Sequence, residues 1–146
     1  MSQKLKREEV EKKLIKLRID KNKLSKLNAA CAYGYTREVN NLIYHRHQIN
    51  GEDENFGTPL MISCMLGYTR LPEMLIKNGA DVNKQNKYGI TALHMAVCYQ
   101  HVSTVKLLLQ HGADKYIEVN EYDGATPIDF IKKTSPNYDK ISKLLT

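Results

Sequence analysis

The chain has 146 residues and a net charge of +6 at pH 7, and its length suits a single domain. It has no run of 18 apolar residues that would predict a membrane-spanning helix. The N-terminus is highly charged and lacks the apolar centre of a secretory signal, so we expect a cytoplasmic or a nuclear protein.

The excess positive charge lies at the N-terminus. Residues 1–27 contain ten Lys or Arg and four acidic residues, which gives a net charge of +6, and the rest of the chain is neutral. We predict that residues 1–23, here called the leader, form a basic amphipathic helix. Its apolar stripe consists of Val10, Leu14, Leu17 and Leu24.

Three roles are open for this helix. We favour packing of its stripe on the exposed face of the first repeat unit of the domain that follows, since the ends of repeat arrays need covering. The helix could instead lie on an anionic membrane or on nucleic acid. A coiled coil is the weakest alternative, because Lys21 falls at a core position and fewer than three heptads are present. Ile15 and Ile19 lie off the stripe, which favours burial between two surfaces.

The remainder of the chain repeats with a period of 33 residues. Gly57-Thr58-Pro59-Leu60 recurs as Ile90-Thr91-Ala92-Leu93, and Asn78-Gly79-Ala80-Asp81 recurs as His111-Gly112-Ala113-Asp114. Apolar columns follow the same spacing: Leu27, Leu60 and Leu93, then Leu42, Leu75 and Leu108. We therefore predict a repeat domain at residues 24–146.

Four units result from this period, at residues 24–53, 54–86, 87–120 and 121–146. The threonine that should follow Thr91 after 33 residues comes two residues late, at Thr126. We expect the connecting hairpin at residues 115–123 to carry the insertion. The last unit replaces small residues with larger and charged ones from Phe130 onwards, and we expect it to form a polar C-terminal cap.

Each unit is predicted to contain two helices. In the second unit, Thr58 is a good N-cap and Pro59 suits the first helical position. Gly67 can end that helix, and a second helix should run until Asn78-Gly79. One such unit cannot bury its apolar face alone, so the units must stack. The predicted fold is an all-α repeat solenoid of helix-turn-helix units with β-hairpin-like connecting loops, preceded by the leader helix.

Three positions depart from the repeat pattern. Gln100 stands where Gly34 and Gly67 stand, and Arg46 stands where Gly79 stands. We predict a positive φ or a shifted turn at both places. Phe56 takes the glycine position of its hairpin.

Self-similarity at 33 residues with a Thr-Pro-Leu-His type segment resembles the ankyrin repeat. The resemblance covers about 120 residues. It implies a non-enzymatic module that binds proteins on its concave face. It also implies that His94 hydrogen-bonds within its turn, with Thr91, and to the neighbouring repeat.

The predicted partner site follows from these expectations. The exposed ends of the first helices present an apolar column: Tyr33, Leu66 and Tyr99. Hairpin tips and their flanking charges complete the candidate residues: Asn55, Phe56, Tyr88, Ile90, Glu54 and Lys87. Aromatic anchors among mixed charges suit a protein–protein site. Alternatively, the tyrosines pack against their own hairpins with only the hydroxyl in water.

No catalytic residue, metal site or cofactor is predicted. His45-Arg46-His47 resembles a ligand pair, but Cys-His spacings of the zinc type are absent. Cys31 and Cys64 lie at equivalent points of helices whose axes should be about 8–10 Å apart, too far for a disulfide. We expect both and Cys98 to be buried free thiols, as in a reducing compartment.

We therefore expect a monomer that scaffolds, sequesters or inhibits a protein partner through the concave face. The principal alternative is a tether to nucleic acid or an anionic membrane through the basic leader, with the repeats as a spacer. Binding by the leader should weaken steeply with salt, whereas an aromatic-centred site should change little.

Overall fold

The computed structural model describes residues 3–45, 48–54 and 57–146. Within these residues the chain forms eight α-helices, three short 3₁₀ turns and no β-strand. The helices are α1 (Gln3–Lys16), α2 (Lys26–Ala32), α3 (Thr36–Tyr44), α4 (Pro59–Met65), α5 (Arg70–Lys77), α6 (Ala92–Cys98), α7 (Val102–Gln110) and α8 (Tyr138–Leu145). The 3₁₀ turns are Lys21–Lys23, Asn120–Tyr122 and Pro127–Phe130. This architecture agrees with the predicted stack of helix pairs.

The first helices of the units begin at equivalent caps. The hydroxyl oxygens of Ser25, Thr58 and Thr91 accept hydrogen bonds from backbone N–H groups three residues later, at 3.1, 3.2 and 3.4 Å. These residues are 33 positions apart, so one side-chain type at one repeat position sets where each helix begins. Helices α2, α4 and α6 contact one another in that order, and the turn Pro127–Phe130 continues the row.

The first helices end at residues in the left-handed region. Gly34, Gly67 and Gln100 have φ angles of 70°, 81° and 61°. The positive φ predicted for Gln100 is therefore confirmed, and glutamine pays the conformational cost that glycine avoids there. The prediction for Arg46 falls outside the described residues.

Helix ends are also joined between repeats. The Tyr68 hydroxyl donates to the carbonyl of Ala32 at 3.0 Å, and His101 Nε2 lies 2.8 Å from the carbonyl oxygen of Met65. Both pairs are 36 residues apart, and the second is the first displaced by one repeat. Carbonyls at the C-terminal end of a helix lack partners within the helix. These side chains supply them from the next unit.

The connections between units are hairpin-like, as predicted. Backbone hydrogen bonds close the first two turns from Asp53 N to Gly57 O at 3.3 Å and from Asn86 N to Ile90 O at 2.9 Å. The third closes from Val119 N to Ala125 O at 2.9 Å, over two more residues. The predicted insertion is confirmed, and its residues form the 3₁₀ turn Asn120–Tyr122.

The main core runs through all four units. Leu60, Leu75, Leu93 and Leu108 are at most 2% exposed, as their columns predicted. Helix α8 closes the far end with buried Ile141 and Leu145, while its lysines face solvent. The C-terminal segment therefore has the apolar inner side and the polar outer side of a cap.

His94 is fully buried. Its Nδ1 accepts from the Thr91 backbone N–H at 3.2 Å, as the resemblance implied. Its Nε2 has no partner at hydrogen-bonding geometry among the described atoms, so the expected bond to the neighbouring repeat stays a prediction. Burial lowers the pKa of His94, and backbone groups of Ala125 and Ile117 offset part of that shift.

The leader differs from its prediction. Helix α1 ends at Lys16, well before the predicted end at residue 23, so Leu17 and Leu24 do not extend its apolar stripe. Arg18 has a φ of 58°, and Ile19 N donates to Leu14 O at 2.9 Å in the pattern of a left-handed cap. The division of the chain at residues 23 and 24 stays a prediction. No helix in the described part of the chain is long and apolar enough to cross a membrane.

Candidate partner-binding groove

The leader packs on the inner face of the repeats, defined here as the side of α2, α4 and α6 turned away from α3, α5 and α7. Val10 and Leu14 are buried together with Ala32 of α2 and Ile62 of α4. This cluster is separate from the main core. The stripe therefore packs on the first repeat, and it also reaches Ile62, an apolar side chain of the second repeat.

Polar contacts join the leader to the repeats at Glu11 and at Lys23. The Glu11 carboxylate lies 3.3 Å from Arg7 Nε and 3.2 Å from Lys21 Nζ, and it accepts from the Tyr33 hydroxyl at 3.2 Å. The hydrogen bond from Lys21 is the largest cause that lowers the pKa of Glu11. Lys23 Nζ lies 3.3 Å from Glu54, which joins the leader to the first hairpin. Both lysines are exposed, so we expect each pair to contribute little stability.

Next to the leader, the inner face opens into a groove of about 310 Å³. Leu17, Arg18 and Ile19 form the leader side of the groove. The opposite side and floor are mainly apolar, from α4, α6 and the second hairpin: Met61, Met65, Met95, Tyr88, Ile90 and Tyr99. Methionine side chains adapt to ligands of different shape, and tyrosines offer a large apolar surface with a polar tip.

The three residues of the predicted apolar column lie in two different environments. Tyr33 and Leu66 pack against the leader cluster, whereas Tyr99 lines the open groove and is 40% exposed. Burial is the first cause, and Glu11 the second, of a raised pKa for the Tyr33 hydroxyl. Only one of the three column residues is therefore free to meet a partner while the leader is in place.

The predicted hairpin residues have separate environments. Tyr88 and Ile90 join Tyr99 in the groove. Glu54 pairs with Lys23, and the Lys87 backbone N–H donates to Glu52 at 3.0 Å while its ammonium lies 5.3 Å from the Tyr88 ring centre. Asn55 and Phe56 lie outside the described residues. The role of all these residues in binding stays a prediction.

Several residues that line the groove were not predicted from the sequence. Met95 and Ile62 are 33 residues apart, and each precedes a column residue by one helical turn. That spacing could have indicated that both residues lie on the same face as the column. The participation of Arg18 and Ile19 had no such signal, because it depends on where the leader lies on the repeats.

The thiols lack the surroundings of a nucleophile. Cys31 and Cys64 are buried and free, and burial raises the pKa of Cys31 to about 12. Burial also raises the pKa of Cys98, although this residue is exposed rather than buried as predicted. It ends α6 at the position equivalent to Ala32, which the leader covers. Reactive cysteines have lowered pKa values, so these three are poor candidates.

Metal-ligating side chains are also not gathered in the described ranges, where no group of three His, Cys, Asp or Glu residues could hold an ion. His47 of the predicted ligand pair lies outside the described residues. The inner groove is therefore the candidate functional site.

A family model for ankyrin repeats in three copies matches residues 27–120. The chain belongs to the ankyrin repeat family. Comparison with individual curated proteins gives no significant match. Ankyrin repeats are generally non-enzymatic modules for protein–protein interaction. The match covers the first three ankyrin units, which contribute α4 and α6 to the groove, while the leader lies outside it.

Proposed function

We propose that this ankyrin repeat protein scaffolds, sequesters or inhibits a protein partner that inserts an apolar side chain into the inner groove. The observation that carries the proposal is the open apolar groove beside the leader, lined by Tyr88, Ile90 and Tyr99. Its volume of about 310 Å³ accommodates one or two large side chains. Burial of such anchors in a fitted pocket supplies most of the affinity of many interfaces.

The rim of the groove carries charges of both signs. Arg18 lies on the leader side, whereas Glu121 and Asp123 flank Tyr122 on the third hairpin. All of these charged residues are exposed. They can orient a partner that has the opposite arrangement of charges, while the apolar centre provides affinity that depends little on salt.

Capture followed by titration tests the proposal. Proteins retained by the immobilised chain are titrated against the wild type, Met95→Glu in the groove and Tyr44→Glu on α3. Tyr44 is 82% exposed and outside the groove. We expect Met95→Glu to weaken binding at least tenfold and Tyr44→Glu to leave it unchanged. Equal affinity for the two variants would move the site away from the groove.

The alternative function, a tether, has its own support in the leader. Lys12, Lys13 and Lys16 are exposed and form no ion pair with the described residues. Such side chains can meet phosphates of nucleic acid or of an anionic membrane. Binding to a fluorescent single strand or to phosphatidylserine vesicles, lost steeply between 50 and 200 mM salt, would favour this function.

We further propose that the protein acts as a monomer in a reducing compartment, the cytoplasm or the nucleus. The free thiols of Cys31 and Cys64 support the compartment. Light scattering over a concentration series tests the monomer, and microscopy of the tagged chain tests the location.

A further inference from the structure

The leader occupies the inner face in the manner of a bound ligand. Val10 and Leu14 lie one helical turn apart on α1 and are 9% and 1% exposed. They contact an apolar patch that two different repeats build, with Ala32 from α2 and Ile62 from α4. Because this patch is separate from the main core, the repeats do not need it for their own packing.

One acidic side chain adds a polar contact to this apolar pair. Glu11 directly follows Val10 and accepts from the Tyr33 hydroxyl at 3.2 Å. Arg7 lies over the Tyr33 ring, 5.6 Å from its centre. The docked face of α1 is therefore defined by three positions: an apolar residue, an acidic residue directly after it, and a second apolar residue one turn later.

The rest of the leader is held loosely. Ile15, next to Leu14, is 75% exposed, so no element of the described residues covers the far side of α1 at this point. The ion pair that joins the leader to the repeats, Lys23 with Glu54, lies in solvent. Val10 and Leu14 are the two leader residues buried in this cluster, while Ile19 and Leu24 pack against it and are only partly buried. A short segment attached in this way can exchange with a competitor.

We propose that the α2–α4 part of the inner face is a helix-binding surface, and that the leader is its tethered and displaceable occupant. The partner that replaces it presents an amphipathic helix with the same three positions that Val10, Glu11 and Leu14 occupy. This inference rests on the proposed function only in placing the partner on the inner face. It extends the site from the open groove to Tyr33 and Leu66.

A peptide of residues 3–24, labelled with a fluorophore, tests the surface without any partner. It is titrated by anisotropy against the full-length wild type and the full-length Leu14→Asp variant, which should release its own leader. A tethered segment competes at an effective concentration of about millimolar. We therefore expect the peptide to bind Leu14→Asp at least about tenfold more tightly than the wild type.

Matched controls use the neighbouring exposed residue. The Ile15→Asp chain gains the same charge as Leu14→Asp, one position away. Its own leader should stay docked, so it should exclude the peptide as the wild type does. A peptide with Leu14→Asp should not bind the released chain, whereas one with Ile15→Asp should bind normally. A Glu11→Gln peptide should bind several-fold more weakly, and Tyr33→Phe in the chain should give the same loss.

Three results would overturn the inference: no peptide binding to Leu14→Asp, equal binding to the wild type and Leu14→Asp, or equal binding of both aspartate peptides. Circular dichroism serves as the folding control for Leu14→Asp, and the milder Leu14→Ala chain should show intermediate binding. A doubled mass of the wild type in light scattering would make the leader of a second copy the occupant and would also overturn it. The proposed function fails separately, when a captured partner is insensitive to Met95→Glu.

Discussion

Tyr33 and Tyr99 occupy the same position two repeats apart, but the leader covers only the first. The Tyr33 hydroxyl donates to Glu11 of α1, and its ring lies against the leader cluster. Tyr99 is 40% exposed and lines the groove where the leader ends. Equivalent side chains thus have an intramolecular contact in one repeat and an open surface in another.

Replacing a leucine of the core column by a smaller side chain should destabilise the stacked repeats. Leu75 is fully buried in the core that joins the repeats. Leu75→Ala should lower the free energy of unfolding by about 2–5 kcal/mol through the cavity it leaves. Ile15→Ala, at a residue that is 75% exposed, should change it by less than about 0.5 kcal/mol. Denaturant melts measure both, and similar values would show that the register of the column is wrong.

Replacing Gln100, which has a left-handed backbone conformation, by glycine should stabilise the third repeat. Gln100 has a φ of 61° at a place where the first two units have glycine. Gln100→Gly should raise the free energy of unfolding by about 1 kcal/mol, because the left-handed conformation disfavours a side chain by about that amount. Gly67→Ala should do the opposite, since its Cβ would lie 2.6 Å from His101 Nδ1. A melting temperature that falls for Gln100→Gly would contradict the argument.

Deleting residues 1–22 should expose the apolar surface that the leader covers. Ala32 and Ile62 would lose the contacts of Val10 and Leu14. We expect a lower melting temperature and increased binding of a hydrophobic dye. An unchanged melting temperature, together with lost binding to anionic vesicles or nucleic acid, would favour the tether.

The buried histidine should make stability sensitive to mild acid. Burial lowers the pKa of His94 in the folded protein, whereas the pKa of this histidine in the unfolded chain should be about 6.5. As pH falls below that value, the unfolded state takes up the proton first, so the free energy of unfolding decreases until the folded pKa is reached. Stability from this residue is therefore complete above pH 7 and lost in acid.

His94→Asn provides a matched test, because Asn28 occupies the equivalent position of the first repeat. The Asn28 amide donates to Gly57 O at 3.0 Å without titrating. Urea melts of both chains at pH 7.5 and pH 5 should show a smaller pH dependence for His94→Asn. An unchanged dependence would assign the acid sensitivity to other groups.

The repeat fold was predictable because each of its signals recurs. Ser25, Thr58 and Thr91 repeat one capping position, and Leu75 and Leu108 repeat one core position. Residues one period apart occupy equivalent places in neighbouring units, so the period itself indicates which residues lie side by side. The insertion in the third hairpin was visible for the same reason, as a break in that spacing.

The position of the leader was not predictable on these grounds. Its helix ends at Lys16, and the left-handed residue that follows is Arg18, a residue type that gives no signal for such a cap. Val10 and Leu14 could pack on any apolar surface, and the choice of the inner face depends on Ala32 and Ile62, which are distant in sequence. The open groove follows from that choice, since the leader forms one of its sides.

Tyr99 is an exposed aromatic residue that lines the groove at the end of α6. Tyr99→Ala should weaken binding of a captured protein partner by at least about 1 kcal/mol, as expected when a central tyrosine anchor is removed. The fold should be largely retained, because Tyr99 lies beyond the last residue of α6 and outside the main core. Tyr44→Ala removes a tyrosine that is 82% exposed on α3 and should not affect binding. Calorimetric titrations of both variants measure the difference, with circular dichroism as the control for folding. If Tyr99→Ala bound the partner as tightly as Tyr44→Ala, the outer helices or the basic leader would become the better candidates for the interface.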